Sequence, residues 1–178
     1  MKKLLSLVAV MLVASLTMFA SAQDIVGKWR VDTNFFANIE VEGVKFDMVL
    51  FTYAEDKSGT LNLGYDITES LDDTTKMRIE MRIDISYTWE CSGDQLSMTT
   101  SNIDFEFGDI SFIPSSPEYE AAIPMLRQML EQQFEADKEE MIKDFGINSG
   151  TTTIESLTAD RMVFINDKGE RMTLIRVE

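Results

Sequence analysis

The chain sets 31 acids against 16 bases in 178 residues, has no histidine, and carries a formal charge of −15. A surface this anionic repels nucleic acid and anionic lipid, so neither is expected as a partner. Without histidine there is no Ser-His-acid triad, Cys-His pair or histidine metal site, and the single cysteine, Cys91, excludes an intrachain disulfide and the usual zinc sites.

The first 22 residues have the pattern of a cleavable secretory signal. Lys2 and Lys3 form the basic start, Leu4 to Phe19 the apolar run, and Ala20-Ser21-Ala22 the small-residue cleavage site. The run is shorter than the roughly 20 apolar residues of a spanning helix, and no cysteine stands at the cut to carry a lipid. The expected product starts at Gln23, has no membrane span, and is periplasmic or secreted. Losing Lys2 and Lys3 takes the formal charge to −17. About 156 residues remain, enough for one domain with its own core, residues 23–178.

Apolar and polar residues alternate along much of this domain, the period of half-buried strands. Val26 to Asp32 opens it. Phe46 to Ala54 is apolar on both faces, with Phe46, Met48 and Leu50 on one and Val49, Phe51 and Tyr53 on the other, which asks for a cover on its outer side. After a turn at Asp56 to Gly59, Thr60 to Thr68 returns. Met77 to Trp89 is the firmest strand, with seven apolar residues in strict register. Ser92-Gly93-Asp94 turns into Leu96 to Thr100, and Ile103, Phe105 and Phe107 alternate beyond it, with Gly108 marking a bulge or bend. Thr151 to Leu157, Arg161 to Ile165 and Glu170 to Val177 close the chain, the last two joined by the hairpin signal Asn166 to Gly169. Short strands joined by turns, with no βαβ repeat, give a mainly β, single antiparallel barrel or sandwich.

One segment departs from this period. Ser116-Pro117-Glu118 reads as a cap, a first-turn proline and an acid at the positive end of a helix. Tyr119, Ile123, Leu126, Met129, Leu130, Phe134, Met141, Ile142 and Phe145 then recur at helical spacing, so residues 117–145 form a helical insertion. Gly146 ends it, and Pro124 kinks it or restarts it as a second helix. Its methionines suit an adaptable surface. Three roles are open to it: completing the core, covering a barrel mouth, or docking another protein.

No catalytic set emerges. Cys91 has no activating histidine and reads as inert. Paired carboxylates would serve a glycosidase, but 31 acids nominate no particular pair. Asp104, Glu106 and Asp109 lack the spacing of a calcium loop and read as a solvated strand face. No metal, cofactor or enzyme activity is expected. Phe35, Phe36, Phe46, Phe51, Phe105, Phe107 and Phe112 either line an apolar cavity or fill a solid core.

The stretch Ile25-Val26-Gly27-Lys28-Trp29 resembles the G-x-W signature that opens lipocalins and bacterial lipocalin-like domains. The hairpin from Leu157 to Arg176 and the strand–turn–strand Tyr87 to Met98 are similar to that family as well. The resemblance implies a lipocalin-like β-barrel in which Trp29 plugs the closed end and Arg176 packs over its ring, with Gly27, Trp29 and Arg176 as fold residues. The second motif of the lipocalins is absent, and the helix precedes the closing strands instead of following them. The expected function is non-catalytic binding of a small apolar or amphipathic ligand, with Phe46, Phe51, Phe105 and Phe107 as its contacts. The alternative is an envelope or secreted interaction module that engages a protein partner through the helix.

Overall fold

The computed structural model describes residues 22–32, 43–144, 150–165 and 169–177. Residues 1–21 of the signal segment, Phe35, Phe36, Phe145, Gly146 and most of the last hairpin turn lie outside the described residues. One helical turn, α1 (Ala22–Ile25), precedes strands β1 (Gly27–Val31), β2 (Val44–Tyr53), β3 (Ser58–Ser70), β4 (Lys76–Ser92) and β5 (Gln95–Ile113). Helix α2 (Pro117–Asp144) follows, and then β6 (Gly150–Leu157), β7 (Arg161–Ile165) and β8 (Arg171–Val177). Each strand pairs antiparallel with the next, and β8 returns to β1, so the sheet closes in a ring of eight.

The strand period explains which side chains fill the ring, once its slips are counted. In β4 the alternation never slips: Ile79, Met81, Ile83, Ile85, Tyr87 and Trp89 are all buried, while Arg82, Asp84 and Thr88 are exposed. β5 slips twice. Ser101 is an extra residue opposite the Ser86–Tyr87 step, and a second extra residue falls at Gly108–Asp109 opposite Glu80. Each bulge reverses the parity. The inward residues therefore run Leu96, Met98 and Thr100, then Ile103, Phe105 and Phe107, then Ile110 and Phe112. What the sequence presents as two segments is one strand of 19 residues.

A third slip corrects the reading of Phe46 to Ala54. Phe46 pairs with Tyr65 and Met48 with Gly64, so Asp47 is bulged out. The bulge puts Phe46 on the same face as Val49, Phe51 and Tyr53, and turns Met48 outward, where it is 36% exposed. β2 is not buried on both faces; a single bulge in an alternating strand mimics that pattern. Gly64 makes room for the bulge, since a Cβ there would stand 2.3 Å from an Asp47 carboxylate oxygen.

The ring is uneven in height. β1 pairs only with Gly27–Arg30 against Leu50–Tyr53 of β2, and β6 meets only Gln95–Met98 of β5. Beyond those rungs β2 to β5 continue as a tall wall of four strands. Among the described residues, its edges at 44–49 and 99–113 have no strand neighbour. Open edges invite pairing with other chains. The β2 edge is blunted by Lys45 and the Asp47 bulge, and the β5 edge is covered by α2.

α2 packs on β5, and not on β2. Its stripe Tyr119, Ile123, Leu126, Leu130 and Phe134 is half-buried. Tyr119 stacks on Phe112 with ring centroids 4.9 Å apart. The Arg127 guanidinium donates to the free edge carbonyls of Phe107 and Gly108, each at 2.5 Å. The Ser116 hydroxyl accepts from the Tyr119 amide at 3.2 Å, capping the start as the sequence indicates. Pro124 lies on the exposed side of one uninterrupted helix, so it neither splits it nor restarts it.

At the short end, buried rings fill the interior. Trp29, Trp89, Tyr53 and Tyr87 are each at most 2% exposed. Tyr53 meets Tyr87 and Trp89 edge-on at 5.8 and 5.5 Å. The Tyr87 hydroxyl donates to the Thr52 carbonyl at 3.0 Å, and the Tyr53 hydroxyl points at the Met98 sulfur at 3.7 Å. Burial raises the pKa of both phenols, and of Tyr65 further up the wall. Both states keep these phenols neutral below the ordinary value of 10.0; above it the unfolded chain ionises first. Stability is therefore intact below that pH and falls as pH climbs toward the folded values. An alkaline titration should show the phenolate absorbance of Tyr53 and Tyr87 rising together with loss of the sheet's circular dichroism. Ionisation of all 4 tyrosines with the sheet intact would contradict this burial.

Candidate functional site

The tall wall carries its inward side chains in cross-strand rows set by the register. From the short end upward these are Phe51–Leu61–Ile85–Ile103, Val49–Leu63–Ile83–Phe105, Phe46–Tyr65–Met81–Phe107 and Val44–Ile67–Ile79–Ile110. The lowest row is buried throughout. In the second row Val49 and Ile83 are buried and Leu63 and Phe105 half-buried, and the two rows above it differ between their two sides. On β4 and β5, Met81, Phe107, Ile79 and Ile110 are 4 to 8% exposed. On β2 and β3, Val44, Phe46, Leu63, Tyr65 and Ile67 remain half-buried. Among the described residues α2 covers the β5 side, and β2 and β3 present a half-buried apolar strip on the inner face of the wall.

The four phenylalanines named from the sequence all face inward, but they do not form one site. Phe51 is buried and stacks on Tyr53 at 6.2 Å, deep in the packed end. Phe105 and Phe107 come together under Phe134 of α2, at 4.8 and 5.3 Å. Phe46 lies on the β2 side of the wall, its ring 5.8 Å from Tyr65. Sequence reasoning missed Tyr65, Leu63 and Ile67, and it missed Phe134 as the residue covering the β5 pair. Their odd-numbered alternation in β3 was the available signal. The Tyr65 hydroxyl points at the Met81 sulfur at 3.7 Å, a weak acceptor, so its polar tip retains capacity for a stronger partner.

The residues marked by the G-x-W stretch gather at the opposite end. Trp29 is fully buried, and its indole N–H donates to the Ile25 carbonyl at 2.7 Å. The Arg176 guanidinium lies 4.1 Å over the Trp29 ring. It also donates to the carbonyls of Asp24, Val26 and Ala159 at 2.6, 2.8 and 2.6 Å. Gly27 sits at φ 139°, and a Cβ there would fall 2.5 Å from an Arg176 nitrogen. These contacts bind α1 and the β6–β7 turn to the ring, well away from the half-buried strip.

One further recess is polar. It has a volume of about 320 Å³ and is lined by Asp47, Asp66, Arg78, Glu80, Arg82, Glu106 and Gly108, with Tyr65 and Met81. Arg78 bridges Asp66 at 2.7 Å and Glu80 at 3.1 Å there, so part of its charge is neutralised internally. Asp104 is paired with Lys138 of α2 at 3.0 Å. Among the described residues, no group of three acids or thiols is placed to hold a metal ion. Cys91 is half-buried, and burial pushes its thiol pKa up. No helix among the described residues is long and apolar enough to cross a membrane. No protein-family model matches the chain, and no curated protein matches it.

Proposed function

We propose that the chain is an exported, lipocalin-like barrel that binds a small apolar or amphipathic molecule without catalysis, at the half-buried strip of β2 and β3. One observation carries the reading: Val44, Phe46, Leu63, Tyr65 and Ile67 form a contiguous, half-buried apolar surface on the inner face of the ring, beside the buried residues of β4. Concave apolar surfaces with a few polar tips are the usual form of small-molecule sites. The tip here is the Tyr65 hydroxyl, which suits a ligand with one polar end. The site thus shifts from the four phenylalanines to Phe46 with its β3 neighbours. The lipocalin-like reading is supported by Trp29 under Arg176 at the closed end, and the export reading by residues 1–22. Cleavage after Ala22 would keep Asp24 and Ile25, the residues of α1 that Arg176 and Trp29 hold.

Titrating the protein with Nile red, a neutral apolar fluorophore, tests the binding. Saturable enhancement is expected, with Phe46→Ala and Tyr65→Ala each weakening it about tenfold, a loss near 1.4 kcal/mol. Phe51→Leu, below the strip, should leave the affinity within about twofold of the parent. No saturable uptake, or equal affinity in the Phe46 and Tyr65 variants, overturns the assignment. For export, the chain isolated from its host's envelope or medium should have a mass beginning at Gln23.

A further inference from the structure

α1 is gripped only from its third residue onward. Arg176 donates to the Asp24 and Val26 carbonyls at 2.6 and 2.8 Å, and the Trp29 indole donates to the Ile25 carbonyl at 2.7 Å. The Ile25 side chain is wholly buried. Gln23, just before this grip, is exposed, and among the described residues its side-chain amide has no hydrogen-bond partner. It lines an open recess of about 310 Å³ with Ala22, Val26, Glu55 and Lys57.

Cleavage after Ala22, the export reading on which this inference rests, makes Gln23 the first residue. A glutamine in that place holds its α-amine within one five-membered ring of its own side-chain amide. Such proximity turns a slow exchange of amide bonds into a unimolecular step. The amine nitrogen adds to Cδ, the N–Cδ bond forms, and the Cδ–Nε2 bond breaks. One amine proton moves to Nε2, which leaves as ammonia, so no oxidant, reductant or co-reactant is needed. The neutral amine is the reacting form, and an ordinary α-amine pKa of about 8 leaves part of it neutral near pH 7. Glu55 and Lys57 carry opposite charges, so the recess has no net charge to hold the amine as ammonium. The ring can close without breaking a described contact.

We infer that Gln23 is a modification site, cyclised to pyroglutamate in the mature protein. The chain then begins with neither a free α-amine nor its positive charge. An aminopeptidase needs that amine to start, so the cyclised end protects the residues behind it. Those residues are Asp24 and Ile25, through which Arg176 and Trp29 fasten α1 to the ring.

The test uses the chain isolated from its host's envelope or medium, read by intact mass and by reductive methylation of its amines. The expected mass is that of residues 23–178 less one ammonia, with methylation confined to lysines. The mass of residues 23–178 with a methylated α-amine overturns the inference and leaves the export reading standing. A mass beginning at any other residue overturns both. A mature chain prepared with Gln23 first then tests the geometry at pH 8. Folded, it should lose ammonia within about threefold of its rate in guanidinium chloride, and Gln23→Glu should cyclise at least about tenfold more slowly. A folded chain slower than the unfolded one by about tenfold or more also overturns the inference, because the fold would then be holding the Gln23 amide.

Discussion

A Gly59→Ala chain is expected to melt about 10 °C or more below the parent, from the addition of one methyl group. Gly59 opens β3 opposite Tyr87, on the inward face of the ring. A Cβ there would stand 2.3 Å from Cε2 and 2.6 Å from Cζ of Tyr87, and 2.6 Å from the Thr52 carbonyl oxygen. Neither obstacle yields easily. The Tyr87 ring is 2% exposed, and its hydroxyl is fixed on that same Thr52 carbonyl. Thr52 itself is held in the β2 ladder, opposite Thr60 and Lys28. Overpacking a core usually costs about 1–3 kcal/mol, and two rigid contacts place this site at about 3 or above. For a domain of this size that is a shift on the order of 10 °C, read by thermal unfolding under circular dichroism. Removing the ring should relieve part of the clash. Gly59→Ala combined with Tyr87→Ala should therefore cost less than the two changes summed. A single Gly59→Ala variant melting within about 2 °C of the parent would refute this packing.

What could be read from the sequence follows the regularity of each strand. β4 was legible because nothing interrupts its period: every odd residue from Met77 to Trp89 faces inward. β5 was only half legible. Its extra residues near Ser101 and Gly108 reverse parity twice, so one strand of 19 residues looks like two shorter alternating pieces. Gly108 did signal the second bulge, because glycine tolerates the close approach to Glu80, with a virtual Cβ 3.0 Å from that residue's own. Ser101 gave no such sign. In β2 the Asp47 bulge was hidden by apolar residues on both sides of it, and Met48 passed for a buried residue. The site suffered from the same ambiguity. Phe46, Phe51, Phe105 and Phe107 do share the inward face, yet which of them α2 covers depends on where the helix lies. Helical spacing identifies the apolar stripe of α2 and says nothing of which strand receives it. That choice was made by the unpaired β5 edge, whose Phe107 and Gly108 carbonyls need the donors that Arg127 supplies.

Arg176 should prove nearly as sensitive, and replacing it by lysine should not rescue it. Its guanidinium reaches three carbonyls on three segments: Asp24 in α1, Val26 just before β1, and Ala159 in the β6–β7 turn. The same plane covers the Trp29 ring at 4.1 Å. Hydrogen bonds from a charged donor contribute about 1.5–3 kcal/mol each when buried, and a cation over an indole about 1. Two of these carbonyl contacts are exposed and are screened by water, so the expected loss for Arg176→Met is about 3 kcal/mol in total. A lysine ammonium is a point charge without the planar fork, and it cannot serve three diverging carbonyls while lying flat on a ring. Arg176→Lys should therefore fall much closer to Arg176→Met than to the parent in urea midpoint. Tryptophan emission supplies the local readout, because uncovering Trp29 admits water to its ring and shifts the emission to the red. Gly27→Ala strikes the same contact from the other side, with its Cβ 2.5 Å from an Arg176 nitrogen and φ at 139°. Its cost and that of Arg176→Met should be less than additive, since displacing the guanidinium is part of both. A lysine variant with the parental midpoint would mean that the stacking and one contact suffice. The three-way bridge would then contribute nothing to holding α1 and the β6–β7 turn against the ring.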